Sequence, residues 1–312
     1  MLASCAGCNA ILGLDQTHRA GSSVDAAAID GAVDAHLYDA NPDDLDGDGV
    51  PNASDDCPEA FDPFQGDEDA DKVGDACDDC PEVANADQAD QMEVAAGMTA
   101  DGIGDACDPS PNVGGDRRAL FIGFNDLSEL VGWKTPVGTW SVSAGALHQG
   151  SGTAQNALAY YDKSISPTVV RVGATIDGVT SGLSGTAEAG VWLAMKPPPS
   201  PGDDLEPDGY QCLLVQSLPA VSTGEVIQVE QVNMNAVGHV AMTQTTHVMA
   251  AKDVVQFRAQ VTPTAPQVRC ADPSASSDAE TVLTDTAYSA GAVGLRTHNV
   301  TMSVQWMVIY TR

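Results

Sequence analysis

The stretch Asp44-Leu45-Asp46-Gly47-Asp48-Gly49-Val50 places aspartates at alternate positions and follows them with glycine. The spacing returns in Asp67-Glu68-Asp69-Ala70-Asp71-Lys72-Val73, and Asp101-Gly102-Ile103-Gly104-Asp105 ends a partial third run. Carboxylates this close together repel one another unless a hard cation lies between them. What neutralises these runs therefore decides whether residues 41–108 fold.

The charge of this segment is concentrated far beyond that of the rest of the chain. Residues 41–108 carry 22 acidic side chains and a single base, Lys72, in a chain of 312 residues with a net charge of −31. With few large apolar side chains, such a segment cannot bury enough surface to fold unaided. It is either an acidic, solvated linker or a module held by Ca²⁺ and disulfides. The strong negative balance also argues against nucleic acid as a partner.

The cysteines keep the same register as the aspartates. Cys57 and Cys80 are each followed by Pro-Glu, and Gly74-Asp75-Ala76-Cys77-Asp78 recurs as Gly104-Asp105-Ala106-Cys107-Asp108. The second spacing is longer because of an insertion near Met92–Ala100. A repeat that keeps its framework around an insertion is a structural unit rather than low complexity.

This framework resembles thrombospondin type 3 repeats over residues 44–109. The resemblance implies loops that wrap around bound Ca²⁺ with little regular secondary structure. It also implies sequential disulfides, Cys57–Cys77 and Cys80–Cys107.

The first loop matches the ligand spacing of an EF-hand-like calcium loop. Asp44, Asp46 and Asp48 take positions 1, 3 and 5, glycine takes position 6, and the carbonyl of Val50 takes position 7. The side chain of Asn52 or a water fills position 9. The last predicted ligand, at position 12, is Asp55. Prolines on both sides interrupt any flanking helices, which argues against a true EF-hand.

The second and third loops depart from this pattern at defined places. Lys72 stands where glycine is expected, so it must take a strained backbone or shift the turn. Gly97 and Thr99 stand where the third loop needs carboxylates, and Asp90 is predicted to reach in instead, with Asp87 or Glu93 as alternatives. We expect two or three Ca²⁺ ions with dissociation constants of roughly 10⁻⁴–10⁻³ M. The predicted ligands of these two loops are Asp67, Asp69, Asp71, Val73 (carbonyl), Asp75 and Asp78, then Asp90, Asp101, Ile103 (carbonyl), Asp105 and Asp108.

The beginning of the chain resembles the cleavage region of bacterial lipoproteins. Leu2-Ala3-Ser4-Cys5 has the form of a lipobox, whereas Gly7-Cys8-Asn9 is similar to a mature lipoprotein start. Lipidation is therefore predicted at Cys5 or Cys8, in a truncated signal region covering residues 1–15; a Cys5–Cys8 bond or two free thiols is the alternative. Residues 16–43 are predicted to be a disordered tether. Disulfides and a lipid anchor together predict a cell envelope or extracellular location, with the outer membrane as the expected site.

From Phe121 onward, β-branched residues alternate with polar ones and turn signals separate the runs. This predicts an antiparallel β-sandwich over residues 116–312 and makes the chain mostly β. Cys212 and Cys270 are the remaining pair and are predicted to bridge two strands of the core. The predicted strands are Trp140–Val142, Ala146–Gln149, Val169–Ile176, Gly190–Met195, Gln211–Gln216, Val226–Val232, His239–Thr243, Val254–Val261, Gln267–Cys270, Ala292–Arg296 and Met302–Tyr310.

Two stretches of this half resemble the concanavalin A-like, or laminin G-like, jelly-roll superfamily. The first is Gly138–Gln149, which is similar to the opening hairpin of that family. The second is Gly291–Thr297 with Val304–Tyr310, which is similar to its closing strands. The resemblance implies a jelly roll and says nothing about its ligand.

Evidence for catalysis is weak in the sequence. Some jelly rolls of this superfamily cleave polysaccharides with carboxylates on one strand, but the nearest match, Glu206-Pro207-Asp208-Gly209-Tyr210-Gln211, ends in glutamine within a stretch that reads as a loop. The leading hypothesis is a calcium-binding, non-enzymatic cell-surface lipoprotein whose sandwich binds a glycan or a protein partner, in adhesion or envelope organisation. The alternatives are a glycoside-active enzyme on a jelly-roll fold and a purely structural surface stalk.

Overall fold

The computed structural model describes residues 41–150, 156–180, 185–197, 207–218, 225–233, 236–245, 247–262, 267–274, 279–285 and 287–312. The predictions of lipidation at Cys5 and Cys8, and of a tether over most of 16–43, lie outside these residues. Asp43 is described, and its carbonyl accepts the backbone N–H of Asn52 at 2.8 Å. The ordered repeat module therefore begins ahead of the predicted start at Asp44.

Two helical turns and fifteen strands make up the regular structure of the described residues. The helical turns are α1, Met92–Ala95, and a 3₁₀ turn, Leu127–Leu130. The strands are β1 Arg117–Ile122, β2 Trp133–Val137, β3 Trp140–Ser143, β4 Ala146–Gln149, β5 Ala157–Ile165, β6 Pro167–Val179, β7 Gly185–Lys196, β8 Asp208–Leu218, β9 Val226–Asn233, β10 Ala236–Gln244, β11 Val254–Thr262, β12 Gln267–Asp272, β13 Ala279–Thr284, β14 Gly291–His298 and β15 Val300–Thr311. No helix among the described residues is long and apolar enough to span a membrane.

The strands form two antiparallel sheets packed as a jelly-roll β-sandwich, which confirms the predicted fold class. One sheet has eight strands in the order β13-β12-β11-β6-β15-β4-β3, with β1 also paired to β15. The other has seven strands in the order β10-β9-β8-β7-β14-β5-β2. Consecutive strands repeatedly cross from one sheet to the other, so non-local pairings hold the domain together.

The core lies between the sheets because alternate side chains of each strand point inward. Tyr210 of the seven-stranded sheet and Val172 and Met307 of the eight-stranded sheet are fully buried there. A disulfide joins Cys212 on β8 to Cys270 on β12 and links the two sheets across this core. The predicted pairing of these two cysteines is confirmed.

Four strands were not predicted from the sequence, and one predicted loop is partly strand. The missed strands are β1, β2, β5 and β13. Strand β2 was not predicted because it contains a proline at position 136. It lies at the edge of its sheet, where proline is tolerated. The stretch Asp208–Tyr210, which was not predicted to be strand, begins β8 and pairs with both β7 and β9. Glu206 of that candidate motif lies outside the described residues.

Residues Asn41–Arg312 form one compact unit in which the repeat module packs on the eight-stranded sheet. An apolar cluster joins Cys80 and Ile103 of the module to Val169, Trp306 and Val308 of the sheet. The predicted boundary between the repeats, 44–109, and the sandwich, 116–312, therefore separates two sequence patterns that share one packed interface.

A buried ion pair crosses the same interface. Glu82 of the module accepts a bond from Arg171 Nη1 on β6 at 2.7 Å and from the Tyr310 hydroxyl on β15 at 2.8 Å. Arg118 on β1 donates to the carbonyl of Asp78 at 2.7 Å. The Glu82 side chain has no exposed surface, so its charge is stabilised only while these partners are in place. These bonds fix the orientation of the module on the sheet.

Candidate metal centres

One aspartate in each of the three loops closes the loop with two sets of backbone bonds. Its Oδ1 accepts an N–H two residues ahead, and its Oδ2 accepts an N–H fourteen residues ahead. These bonds are Asp48 to Val50 (2.7 Å) and Asp62 (3.0 Å), Asp71 to Val73 (2.9 Å) and Asn85 (2.7 Å), and Asp101 to Ile103 (3.2 Å) and Gly115 (2.9 Å). The three loops therefore share one geometry despite the insertion.

The first loop gathers three of its predicted ligands. Asp44, Asp46 and Asp48 each offer an oxygen within 4.8 Å of the others. The backbone of Gly49 takes φ +96°, which permits the sharp turn after the third aspartate. Asp46 Oδ2 is buried and accepts no hydrogen bond. Three of the six predicted ligands of the first loop are thus gathered around one point.

The second loop repeats this arrangement with lysine at the glycine position. Asp67, Asp69 and Asp71 gather within the same 4.8 Å, and Asp69 Oδ2 is buried without a partner. Lys72 takes φ +81°, and its N–H donates to Asp67 Oδ2 at 3.1 Å. The loop therefore keeps its register, and of the two predicted outcomes the strained backbone is the one observed.

The insertion supplies the ligand that the third loop lacks. Asp90 Oδ2 accepts the N–H of Gly102 at 2.9 Å, as Asp67 does from Lys72, so Asp90 stands in the first ligand position. Glu93, on the first turn of α1, gathers with Asp90 and Asp101 within 4.8 Å. Glu93 therefore takes the place of the missing second carboxylate. Of the alternatives to Asp90, Glu93 joins it, whereas Asp87 is exposed and belongs to none of the clusters.

A second triad extends the third centre to the sandwich. Asp101, Asp108 and Asp116 also offer oxygens within 4.8 Å of one another. Asp116 directly precedes strand β1. The third centre thus combines five carboxylates from the module, the insertion and the first strand of the sandwich.

Six carboxylate oxygens of this third centre are buried and accept no hydrogen bond. Glu93 is fully buried, Asp108 is 8% exposed and Asp116 is 1% exposed. Within the described residues, none of these carboxylates forms an ion pair with Lys, Arg or His. The oxygens that accept no hydrogen bond are Asp90 Oδ1, Glu93 Oε1 and Oε2, Asp108 Oδ2, and Asp116 Oδ1 and Oδ2. A buried charge with no compensation costs several kcal/mol, on the order estimated for desolvated ions, so this centre requires a cation or protons.

Proton affinity shows how strongly the metal-free cluster resists ionisation. Burial, followed by the neighbouring carboxyl of Glu93, raises the pKa of Asp108 to about 8. Burial also raises the pKa of Asp69 to about 6, and the charge of Asp71 adds to the rise. Without a cation, the raised pKa of Asp108 favours its protonated form at neutral pH. A divalent ion would replace that proton.

The other predicted ligands are placed less directly. The Asn52 amide bonds to the backbone of Leu45 and Pro42, so it is engaged in shaping the first loop. Asp55 and Asp78 each use Oδ1 for a glutamine and a cysteine N–H, leaving a buried Oδ2 without a partner. Among the described residues, Asp75 and Asp105 lie outside the three-carboxylate clusters. The carbonyls of Val50, Val73 and Ile103 stay predicted ligands.

Asp75 and Asp105 play the same structural role in the second and third loops. Asp75 Oδ1 accepts the N–H of Glu68 at 3.1 Å. Asp105 Oδ1 accepts the N–H groups of Gln91 and Met92 at 3.0 and 2.9 Å, at the start of α1. These aspartates thus hold the segment that carries the first ligands of the loop. Burial raises the pKa of Asp75 to about 7, with nearby aspartates adding to the rise.

Sequence reasoning missed Asp62 and Asp116 and left Glu93 as an alternative. Asp62 gathers with Asp56 and Cys57, but the cysteine sulfur is already bonded in a disulfide and is no metal ligand. The signal for both missed aspartates was their distance from the third aspartate of their loop, fourteen or fifteen residues. That spacing carries meaning only once the loop-closing bonds are known.

The disulfide framework of the module agrees with the sequence prediction. Cys57 bonds to Cys77 and Cys80 bonds to Cys107, with Cα–Cα distances of 5.6 and 5.5 Å. The second cysteine of each bridge directly precedes the last predicted ligand of its loop, Asp78 or Asp108. Both predicted pairings are confirmed, and they hold the ligand segments close together.

The sandwich carries a separate polar network on the face of the seven-stranded sheet that points away from the core. Arg296 Nη1 pairs with Glu188 Oε2 at 2.8 Å and donates to Gln211 Oε1, and Nη2 donates to Asn156 Oδ1 at 2.9 Å. Gln211 is fully buried, and its Nε2 donates to no partner. Trp192 lies in an apolar cluster on the same sheet. This face combines aromatic and polar groups.

Comparisons with known proteins give no family. No protein-family model and no curated protein matches the chain. Among solved structures, a carbohydrate-binding module of Bacillus subtilis is 14% identical, with a TM-score of 0.41, over 56% of this chain and 92% of that one. A legume lectin-like domain from Entamoeba histolytica is 11% identical (TM-score 0.45, 60% and 93% covered). A Bacillus licheniformis beta-glucanase is 11% identical (TM-score 0.44, 64% and 100% covered). Likenesses this distant identify neither a family nor a ligand.

Proposed function

We propose that this chain is a calcium-binding, non-enzymatic cell-surface protein. In this proposal Ca²⁺ holds the acidic repeat module folded against a β-sandwich, and the sandwich binds a glycan or a protein partner. The observation that carries the proposal is the set of buried, unpartnered carboxylate oxygens on Glu93, Asp108 and Asp116.

The donor set favours Ca²⁺ over other ions. All the gathered ligand atoms of the three loops are carboxylate oxygens, which suit hard cations rather than zinc or copper. The third centre alone offers six oxygens without hydrogen bonds, and Ca²⁺ takes roughly six to eight. Mg²⁺ needs a near-octahedral cage and retains several waters, which fits a buried, carboxylate-rich site less well.

An ion at the third centre would have a structural role. Glu93 comes from the insertion, Asp101 and Asp108 from the last loop, and Asp116 from the residue ahead of β1. An ion bound to all four would join the module to the sandwich at its first strand. Binding would then stabilise both parts, because an ion that binds only the folded state adds its binding free energy to stability.

The compartment follows from the disulfides. Three disulfides in the described residues favour an oxidising environment, so we place the protein outside the cytosol. Attachment through a lipid on Cys5 or Cys8 is part of the proposal and rests on the sequence. Mass spectrometry of the membrane-extracted native protein should show acylation at one of them, and unmodified thiols at both would contradict the anchor.

The recognition surface is proposed on the outer face of the seven-stranded sheet. Support comes from the Glu188–Arg296 pair and from Gln211, whose unpartnered amide lies opposite Trp192 in the register of β8 and β7. Gln211 and Trp192 are at most 1% exposed, so a ligand would contact them only by displacing what covers them. Planar polar groups and an aromatic ring are the groups that bind sugar hydroxyls and ring faces. A glycan array with the wild type and with Gln211→Leu tests this face. Binding lost in the variant supports it, and binding that is absent or unchanged contradicts it.

Calorimetric Ca²⁺ titration of Glu93→Gln tests the metal proposal. The change keeps the side-chain shape but removes a ligand charge, so the third site should bind at least about tenfold more weakly. Glu59→Gln is the matched control, because Glu59 is exposed in the same module and belongs to no cluster. The proposal fails if the wild type binds no Ca²⁺ at millimolar concentration, or if both variants bind alike.

A further inference from the structure

The segment His247–Asp253, called the strap below, joins β10 to β11 across the end of the sandwich. Met249 of the strap is 2% exposed and belongs to the main core. The backbone of the strap is tied on both sides: Glu225 N–H donates to the His247 carbonyl at 2.7 Å, and Lys252 N–H donates to the Ile176 carbonyl at 2.7 Å. The strap therefore covers one end of the core.

The imidazole of His247 lies between two carboxylates. Its Nδ1 is 3.0 Å from Glu225 Oε1, and its Nε2 is 3.3 Å from Asp253 Oδ2. The Nδ1 contact with Glu225 is a hydrogen bond, which either form of the ring can make. The Nε2 contact with Asp253 is an ion pair, which only the imidazolium makes. The geometry therefore matches the charged form of His247.

Glu225 makes this contact costly to lose. Its side chain has no exposed surface, and its second oxygen, Oε2, accepts no hydrogen bond. His247 is its ion-pair partner, and a third carboxylate, Asp272 at the end of β12, is 1% exposed and bonds to Ser274 N–H at 2.9 Å. The carboxylates that face His247 are thus Glu225, Asp253 and Asp272. With His247 neutral, the charge of Glu225 would be buried without an ion-pair partner among the described residues.

We propose that His247 is a proton-operated latch: charged, it fastens the strap to Glu225, outside the strap, and pairs with Asp253 within it; neutral, it releases the strap so that Met249 and the strap backbone open. The latch is independent of the calcium centres, because none of its residues belongs to a carboxylate cluster of the module.

The direction of the pH effect follows from the surroundings of the ring. Burial by itself lowers the pKa of His247, but the hydrogen bond and charge of Glu225 and the charge of Asp253 outweigh it, so the pKa lies above its usual 6.5. A raised pKa means that the clamp contributes fully below about pH 6.5 and is lost as pH rises through the folded value. Burial raises the pKa of Glu225 as well, which weakens the fold in the same direction as pH rises.

Hydrogen exchange at saturating Ca²⁺, between pH 6 and 9 and corrected for intrinsic rates, tests the latch. The protection factors of the Glu225 and Lys252 amides, which tie the strap to its two neighbours, should fall at least tenfold as pH rises. In His247→Gln they should be low and independent of pH. His298→Gln is the control and should retain the wild-type profile. Equal wild-type protection at both pH values, or an unchanged profile in His247→Gln, would overturn the latch.

A titration of the wild type keeps the test decisive if the variant does not fold. The His247 ring resonance should titrate with a midpoint above 6.5, and the Met249 methyl resonance should move through the same midpoint. A His247 midpoint at or below 6.5, or a Met249 signal that ignores the transition, would overturn the proposal.

Discussion

Lys72 shows how far the module depends on single backbone positions. It takes φ +81° where the first loop has Gly49 at φ +96°, yet the third aspartate of each loop accepts the same two backbone bonds. A left-handed residue with a side chain costs roughly 1–2 kcal/mol, and glycine returns about 0.5–1 kcal/mol of this as lost chain entropy. The surrounding bonds therefore impose a conformation that lysine itself disfavours.

Lys72→Gly should be more stable than Lys72→Ala by about 0.5–1 kcal/mol in denaturant unfolding at saturating Ca²⁺. Both variants lose the only base of residues 41–108, so their difference isolates the backbone. Equal stability of the two variants would show that the left-handed conformation carries no strain in solution.

Asp108 gives the calcium sites a predictable pH dependence. Its pKa of about 8 means that Ca²⁺ must displace a proton at neutral pH. Calcium affinity at the third centre should therefore rise as pH increases toward about 8 and level off above it. Titrations at pH 6, 7, 8 and 9 measure this, with Asp108→Asn expected to abolish most of the dependence. Affinity that falls with rising pH contradicts the assignment.

At the scale of elements, periodicity predicted the strands that alternate cleanly and missed those that do not. Eleven strands were predicted near their observed positions. Edge strand β2 contains a proline, and β5 combines a buried apolar run with an exposed polar end, so neither shows a simple alternation. The spacing of the aspartates in the first two loops likewise predicted which carboxylates gather there. The role of Glu93 as a ligand of the third centre could not be predicted in the same way, because it depends on how the insertion folds back.

Helix α1 should be necessary for the third calcium site because it places Glu93. The N–H of Ala96 donates to the carbonyl of Met92 at 3.0 Å, and Ala96 is exposed. Ala96→Pro removes that bond and obstructs the turn, so it should weaken the third site as much as Glu93→Gln does. Ala96→Ser keeps the N–H and should bind Ca²⁺ like the wild type. Normal binding by Ala96→Pro would mean that the turn does not position the ligand.

At the scale of the whole molecule, the interface between module and sheet couples the two halves of the chain. Removing one partner of the buried Glu82–Arg171 pair should cost about 3–5 kcal/mol, because the other charge is left buried. Glu82→Gln and Arg171→Met should each destabilise the sandwich, and the double variant should cost clearly less than the sum of the two. Additive losses in chemical denaturation would indicate that the pair does not form.

Thermal unfolding of the wild type with EDTA and with 10 mM Ca²⁺, under oxidising conditions, tests the central claim most directly. For three sites with dissociation constants of about 1 mM, the ion should add about 4 kcal/mol, which corresponds to roughly 8–16 °C in melting temperature for a domain of this size. We expect a single transition that moves upward with Ca²⁺, because module and sandwich share one interface. An unchanged transition in EDTA would contradict it.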